Sequence, residues 1–219
     1  TPKDREKREK IIEKLQLQIF TFLTEGDLQG TKKVYNVFLN SNSLDQFFEK
    51  ILNPVMEKIG DMWFNGILSI ATEHVASNIA HSLVKVILEE RNHKGTNGKI
   101  IITTPVGEEH NLGCSVVESY LVNKGFTVFN LSPSTPAESV LKFMKSVSAD
   151  SVIISITLSD SIQAGQRLTK KIRSFNKKIP IFVGGQAFTD GSKAKFDATI
   201  ITSNQSLMQL PKILKKSKK

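Results

Sequence analysis

The sequence predicts an all-α segment followed by an α/β domain built on a doubly wound, five-stranded parallel sheet. Apolar residues recur at helical spacing over residues 5–91. A polar, glycine-rich stretch follows at 92–98, and beyond it short β-branched runs alternate with amphipathic segments. We therefore predict two domains, a small four-helix-bundle cap at 1–92 and the α/β domain at 99–219.

Short polar turns separate the predicted helices of the cap. Gly26-Asp27 ends the first helix, Ser43 is placed to cap the third, and Pro54 marks a bend or a new start. Four or five helices joined by short links are typical of a small bundle. The predicted helical ranges are 5–25, 28–39, 44–63 and 69–90.

The second domain alternates strands and helices, which predicts a parallel sheet with helices on both faces. The predicted strands are 99–106, 126–131, 151–156, 179–183 and 198–201, and the predicted helices are 112–124, 137–146, 162–175 and 206–214. Ligands of such sheets bind outside the carboxyl ends of the strands. The loops that follow Val106, Leu131, Ile156 and Val183 are therefore the places to look for a site.

Composition excludes several classes of protein. The 219 residues carry a net charge of +9 with local clusters at both ends, and no nucleic-acid-reading motif accompanies them, so direct nucleic-acid binding is not favoured. The single cysteine, Cys114, excludes an internal disulfide framework. No apolar run is long enough to span a membrane, and the charged N-terminus is unlike a signal peptide. We expect a cytoplasmic location.

The loop after the first predicted strand has the pattern Glu108-x-His110-x-x-Gly113. A histidine at a strand end can offer one ring nitrogen to a metal if the other nitrogen is engaged, and a carboxylate two residues earlier can engage it. Gly113 lets the backbone come close to a bulky ligand. Taken alone, however, the same triplet is more often a surface histidine in a polar loop.

Two further strand ends carry residues suited to a ligand. Ser155 and Thr157 bring hydroxyl groups to the end of the third strand, where Ser155 can extend a relay from Glu108. Gly184-Gly185 closes the fourth strand and leaves room for part of a ligand. Each feature also has a purely structural interpretation, since hydroxyl residues cap helices and paired glycines form tight turns.

Together, these motifs resemble the cobalamin-binding domain of methionine synthase and its relatives, whose pattern is acid-x-His-x-x-Gly, then Ser-x-Leu or Ser-x-Thr, then Gly-Gly. The resemblance runs from residue 99 to about residue 214, with Glu108 in place of the commoner aspartate. It implies a Rossmann-like or flavodoxin-like sheet in which His110 replaces the cofactor's own benzimidazole as the lower axial ligand of cobalt. Glu108 and Ser155 would stand behind His110. The nucleotide channel would be lined by Gly113, Thr157, Gly184 and Gly185.

The cap carries Trp63 and, after nine intervening residues, the pair Glu73-His74. By residue type alone, Trp63 would lie in a core and the pair would be solvated. Their spacing nevertheless resembles the cap of the MerR-type light-dependent cobalamin repressors, where such residues shield an adenosyl group. That resemblance implies adenosylcobalamin as the cofactor, with methylcobalamin as the other candidate. The repressors have a histidine directly after the tryptophan, whereas Phe64 stands here and cannot ligate cobalt.

The resemblance to the repressors implies a sensor that binds adenosylcobalamin, responds to light or ligand, and acts in transcription regulation as a photoreceptor. The alternative is a corrinoid methyl carrier of a methyltransferase system, and a third interpretation is an adaptor for haem or another tetrapyrrole. We expect no enzyme, since a mutase needs a large barrel for which the chain has no room. We also expect a homo-oligomer, a dimer or tetramer, and DNA contact only through an absent or separate domain.

Overall fold

The computed structural model describes residues 2–90, 95–188 and 194–216 of the chain. The chain divides into two units, Thr1–Glu90 and Arg91–Lys219. Part of the stretch predicted as a linker, residues 92–94, lies outside the described residues, as does the end of the basic tail at 217–219. None of the described helices is long and apolar enough to cross a membrane.

Unit 1 is built from helices that enclose an apolar core. The helices are α1 (Pro2–Thr24), α2 (Leu28–Leu39), α3 (Leu44–Phe47), α4 (Asn53–Phe64) and α5 (Ile70–Glu90). Asp27 caps α2 by accepting a hydrogen bond from the Gly30 N–H. Ser43 caps α3, as predicted, through a reciprocal pair of bonds with Gln46. Phe47 is fully buried and packs edge-on against two aromatic rings of α2.

A π-helical turn at Phe48–Leu52 joins α3 to α4. The sequence predicted a bend or a new start near Pro54, so the irregularity lies slightly closer to the N-terminus than expected. Pro54 has no N–H, and its ring crowds the carbonyl group four residues earlier, that of Lys50. In the structure this carbonyl accepts a hydrogen bond of 2.7 Å from the Gln16 side chain on α1. The π turn therefore accommodates the proline while the Lys50 carbonyl stays paired.

Unit 2 contains a parallel sheet with the strand order β2-β1-β3-β4-β5. The strands are β1 (Lys99–Thr103), β2 (Thr127–Asn130), β3 (Ser151–Ser155), β4 (Ile181–Gly184) and β5 (Thr199–Ile201). β1 ends earlier than predicted because Pro105 has no N–H to give to the sheet. The predicted fold class, a helical cap before a doubly wound five-stranded sheet, is confirmed.

Helices cover both faces of this sheet. They are α6 (Leu112–Asn123), α7 (Ala137–Val147), α8 (Ile162–Phe175) and α9 (Asn204–Lys216). Along β1, Ile101 shares a core with residues of α7 and α8, whereas Ile100 and Ile102 share a core with residues of α6 and α9. This double cover explains the continuous apolar runs of the strands. The helices cover the faces and not the carboxyl edge of the sheet, and the loops at this edge can present polar side chains.

Candidate functional site

The loops after β1 and β3 adjoin at the carboxyl edge of the sheet. The chain passes from β1 to β2 on one side and then crosses to β3 on the other, so the direction of winding reverses between β1 and β3. Doubly wound sheets have their ligand crevice at such a point. Glu108 and His110 lie in the loop after β1, which we call the histidine loop (residues 104–111), and Ser155 and Thr157 lie at the end of β3.

Glu108 is fully buried, and its carboxylate accepts four hydrogen bonds. Oε1 lies 3.1 Å from the backbone nitrogen of His110 and 2.7 Å from its ring Nδ1. Oε2 accepts from the backbone N–H groups of Thr157 and Leu158 at 3.0 and 2.9 Å. This one side chain therefore ties the histidine loop to the loop after β3.

The same bonds decide the charge of Glu108. Burial is the largest single influence, and by itself it raises the pKa of a carboxyl. The hydrogen bonds from Leu158, His110 and Thr157 together outweigh it, so the pKa of Glu108 lies below its ordinary value. The carboxylate is consequently ionised at neutral pH, and an ionised carboxylate only accepts hydrogen bonds.

His110 presents its second ring nitrogen for binding. Because the Glu108 carboxylate can only accept, the contact at Nδ1 places the ring proton there and leaves the lone pair on Nε2. The His110 side chain is 53% exposed, so a bulky ligand can reach it. A neutral imidazole oriented in this way by a carboxylate is a metal ligand of raised basicity.

Ser155 makes a different contact from the predicted relay to Glu108. Its hydroxyl group lies near the thiol of Cys114, as does that of Ser132, and both hydroxyl groups act to lower the pKa of this thiol. Both oxygens of the Glu108 carboxylate are instead occupied by N–H groups, mainly of the backbone, which the fold holds in place. Cys114 is buried, and burial is the main reason that the pKa of its thiol is raised to about 11.

The predicted glycines differ in what a side chain at each position would meet. At Gly185, where φ is +116°, a Cβ would lie 2.2 Å from the carbonyl oxygen of Ile156. At Gly184 a Cβ would lie 3.2 Å from atoms of β5. At Gly113 the nearest atom would be Ser155 Oγ at an ordinary 3.8 Å. Packing within the protein thus accounts for the glycine pair but not for Gly113.

Two residues at this edge were not predicted from the sequence. Thr104 is fully buried directly after β1, and Ser134 lies in the loop after β2. Both hydrogen-bond to the backbone of the histidine loop. The signal for Thr104 was available, because it is a hydroxyl residue at the end of an apolar strand, as Ser155 is.

In unit 1, Glu73 and His74 form a second carboxylate–imidazole pair near the start of α5. Nδ1 of His74 lies 2.7 Å from one carboxylate oxygen of Glu73, and Ser77 Oγ donates to the other at 2.6 Å. At the end of α4, Trp63 is 42% exposed and Phe64 is 83% exposed. The core position expected for Trp63 from residue type alone is therefore wrong. The roles of Trp63, Glu73 and His74 toward a ligand stay predictions.

Two family models match the chain, and both are described as a B12 binding domain. One matches residues 98–204 and the other matches residues 15–88, so the two models cover most of both units. The chain belongs to the cobalamin-binding domain family. Cobalamin is its cofactor, as predicted.

Two similar proteins and one solved structure give further detail. Dimethylamine corrinoid protein 1 of Methanosarcina mazei is 23% identical, and the match covers 91% of this chain and 93% of that protein. Methionine synthase of Mycobacterium tuberculosis is 21% identical over 84% of this chain but only 16% of its own length. The monomethylamine corrinoid protein of Methanosarcina barkeri superposes with a TM-score of 0.74 at 16% identity, covering 92% of this chain and 99% of that one, which supports the shared fold.

These similarities support some of the expectations from the sequence and not others. Cobalamin binding and the sheet domain with a helical cap are supported. The expectation of a photoreceptor that regulates transcription finds no support in them, because the dimethylamine corrinoid protein, which the match covers over 93% of its length, is named a corrinoid protein.

The residues at the crevice fit this cofactor of the family. His110 offers the Nε2 lone pair on an exposed ring. In the same stretch of chain, a Cβ at Gly107 would meet nothing within 4 Å, and a Cβ at Gly113 would make only an ordinary contact of 3.8 Å with Ser155 Oγ. That His110 is the residue that holds cobalt stays a prediction, as do the predicted roles of the residues around it.

Proposed function

We propose that this chain is a corrinoid methyl carrier, which holds cobalamin through His110 and serves methyltransferases as their partner. The observation that carries the proposal is the Glu108–His110 pair, in which Nδ1 is fixed 2.7 Å from a buried carboxylate while the ring stays exposed. The match to the dimethylamine corrinoid protein over 93% of that protein supports the carrier class. The carrier, the alternative in the sequence analysis, therefore becomes the leading proposal.

Bound cobalamin supplies the cobalt atom on which such a carrier holds a methyl group. The part of the chain itself is to bind and to orient, which agrees with the expectation that it is no enzyme. Ionised Glu108 holds the Nδ1 proton of His110 and so keeps Nε2 available as a ligand. The pair is thus suited to ligate a metal ion.

The ligand assignment is tested with His110→Ala. Protein labelled with ¹⁵N is loaded with unlabelled cob(II)alamin, and its electron paramagnetic resonance spectrum is recorded for coupling of cobalt to an axial ¹⁵N nucleus, which the protein can supply but the cofactor's own benzimidazole cannot. We expect the coupling in the native protein and its loss in His110→Ala. His81→Ala, which removes a half-buried imidazole from α5, is the matched control and should keep the coupling. Coupling that persists unchanged in His110→Ala overturns the assignment.

Affinity and molecular size separate a carrier from a sensor. A carrier is expected to bind methylcobalamin at least as tightly as adenosylcobalamin and to elute from a gel-filtration column at the same volume in darkness and in green light. A tenfold or greater preference for the adenosyl form, together with a light-dependent elution volume, would replace the carrier proposal by the sensor. The same column reports the oligomeric state, for which a homo-oligomer stays the prediction.

One observation in unit 1 favours keeping the sensor as the second candidate. Trp63 is half-exposed, and Ser77 anchors the Glu73–His74 pair, so unit 1 offers a large aromatic ring and polar groups for binding. If these residues recognise an adenosyl group, Trp63→Ala weakens binding of adenosylcobalamin more than binding of methylcobalamin. An equal effect on both forms removes this support.

A further inference from the structure

The hydroxyl group of Thr104 lies at the centre of a small hydrogen-bond network next to the histidine loop. Thr104 is fully buried. Its Oγ1 donates to the carbonyl oxygen of Glu108 at 2.9 Å and accepts from the backbone N–H of Ser134 at 2.7 Å. The Ser134 N–H also lies 3.2 Å from the Glu108 carbonyl oxygen. Three polar groups that the fold brings together thus satisfy one another.

Ser134 connects the loop after β2 to this hydrogen-bond network. Its Oγ accepts a hydrogen bond of 3.0 Å from the N–H of Gly107, one residue before Glu108. Ser134 adopts φ = +50°, in the left-handed region that residues with a side chain rarely enter. Such a conformation persists only where the surroundings hold it. The contacts to Gly107, Thr104 and Glu108 are those surroundings.

Glu108 is consequently held from two sides. Its carboxylate is fixed by N–H groups of the loop after β3, and its backbone carbonyl is fixed by Thr104 and Ser134. A rotation of the Glu108 peptide group would swing the carboxylate and, through the 2.7 Å contact at Nδ1, the ring of His110. Ligand groups have to be held within about 0.5 Å and 10–20° of their working geometry.

We propose that Thr104 and Ser134 are positioning residues that set how firmly His110 holds cobalt, acting through the backbone of Glu108. This inference rests on the proposed ligation by His110. The affinity of His110 for cobalt then depends also on the loop after β2, which lies outside the sequence motif of the histidine loop. Partners of a metal ligand commonly change metal affinity by roughly 10- to 100-fold when they are replaced.

The test compares Thr104→Val and Ser134→Ala with a matched control. Thr104→Val keeps the size of the side chain and removes its hydroxyl, and Ser134→Ala removes the acceptor for the Gly107 N–H. Thr169→Val is the control, because Thr169 is equally buried and also donates from Oγ1 to a backbone carbonyl, but on α8. Thr104→Ser restores the hydroxyl. For each ¹⁵N-labelled protein we measure the dissociation constant for aquocobalamin and the fraction of bound, unlabelled cob(II)alamin that shows axial ¹⁵N coupling.

We expect Thr104→Val to weaken binding roughly tenfold and Ser134→Ala roughly fivefold, with a smaller nitrogen-coupled fraction in both. Thr169→Val should keep the native affinity and coupling, and Thr104→Ser should recover most of both. If His110→Ala loses the coupling but Thr104→Val behaves like Thr169→Val, the positioning role is refuted while the ligand assignment stands. If His110→Ala keeps the coupling, the proposed ligation itself fails, and the positioning role fails with it.

Discussion

Glu108→Gln keeps the shape of the side chain at the centre of the site and turns one acceptor oxygen into a donor nitrogen. In the native protein Oε1 accepts two hydrogen bonds from His110, and Oε2 accepts one each from the N–H groups of Thr157 and Leu158. A glutamine amide has a single acceptor oxygen. It can therefore satisfy one of the two pairs of donors, and its NH₂ group must face the other.

Both orientations of the amide are unfavourable, in different ways. With NH₂ toward the β3 loop, the N–H groups of Thr157 and Leu158 lose their acceptor, at about 1–3 kcal/mol each. With NH₂ toward His110, one backbone N–H is left unpaired, and the ring must accept at Nδ1, so its proton moves to Nε2. The second orientation disturbs folding less but removes the lone pair for cobalt. We expect a loss of about 3 kcal/mol in the free energy of unfolding and much weaker cobalamin binding.

The stability difference has a defined dependence on pH. The pKa of Glu108 is lowered in the folded protein, so its stabilising contribution is fully present above the unfolded pKa of about 4.3 and is lost as pH falls through the lower, folded value. Below that value native Glu108 is protonated and resembles glutamine. The gap between native protein and Glu108→Gln should therefore be largest near neutral pH and shrink below about pH 4.3.

Urea unfolding of the cofactor-free protein at a series of pH values measures this gap, and titration with aquocobalamin measures binding. Glu109→Gln is the matched control, because it makes the same change at the next, exposed residue and should alter stability by less than about 0.5 kcal/mol. Equal stability of Glu108→Gln and Glu109→Gln at pH 7, or a gap that does not change with pH, would refute the role assigned to the buried carboxylate.

Three further outcomes follow from contacts at the same edge of the sheet. Gly113→Ala should leave the unfolding free energy of the cofactor-free protein within about 0.5 kcal/mol of native, since its Cβ would approach Ser155 Oγ only to 3.8 Å. In titrations, the same substitution should weaken cobalamin binding about tenfold or more. Gly185→Ala should instead lower the melting temperature without cofactor, because its Cβ would lie 2.2 Å from the Ile156 carbonyl oxygen; an unchanged melting curve contradicts this. Cys114, buried and with its thiol pKa raised to about 11, should react with a thiol reagent at pH 8 only after unfolding, as a colorimetric time course would show.

The parts of the fold that follow from local pattern could be predicted. Strands with β-branched apolar runs, such as Lys99–Thr103 and Ser151–Ser155, were found within a few residues, because burial on both faces leaves no alternation to misread. The π-helical turn at Phe48–Leu52 was indicated only as an irregularity near Pro54, because the partner that the Lys50 carbonyl finds is distant in sequence. The Gln16 side chain that pairs with the Lys50 carbonyl comes from another helix.

The candidate site divides in the same way. The contact between Glu108 and His110 is local, so a spacing of two residues was enough to suggest it. The other partners of Glu108 are backbone N–H groups some fifty residues away in sequence. Almost every residue has a backbone N–H, so the residue type does not indicate which of them will donate. Ser155 therefore looked like the partner because its hydroxyl is visible in a sequence, whereas the N–H of Leu158 is not.

The two carboxylate–imidazole pairs found among the described residues show why contact distance alone does not identify a ligand. In both, Nδ1 lies 2.7 Å from a carboxylate oxygen. Glu73 is 22% exposed and is anchored by the hydroxyl of Ser77, which can rotate away. Glu108 is completely buried and is anchored by backbone N–H groups that cannot turn without moving the loop. Reorienting the ring of His74 disturbs one side chain, whereas reorienting that of His110 disturbs three loops, so His110 is the better preorganised of the two to hold a metal.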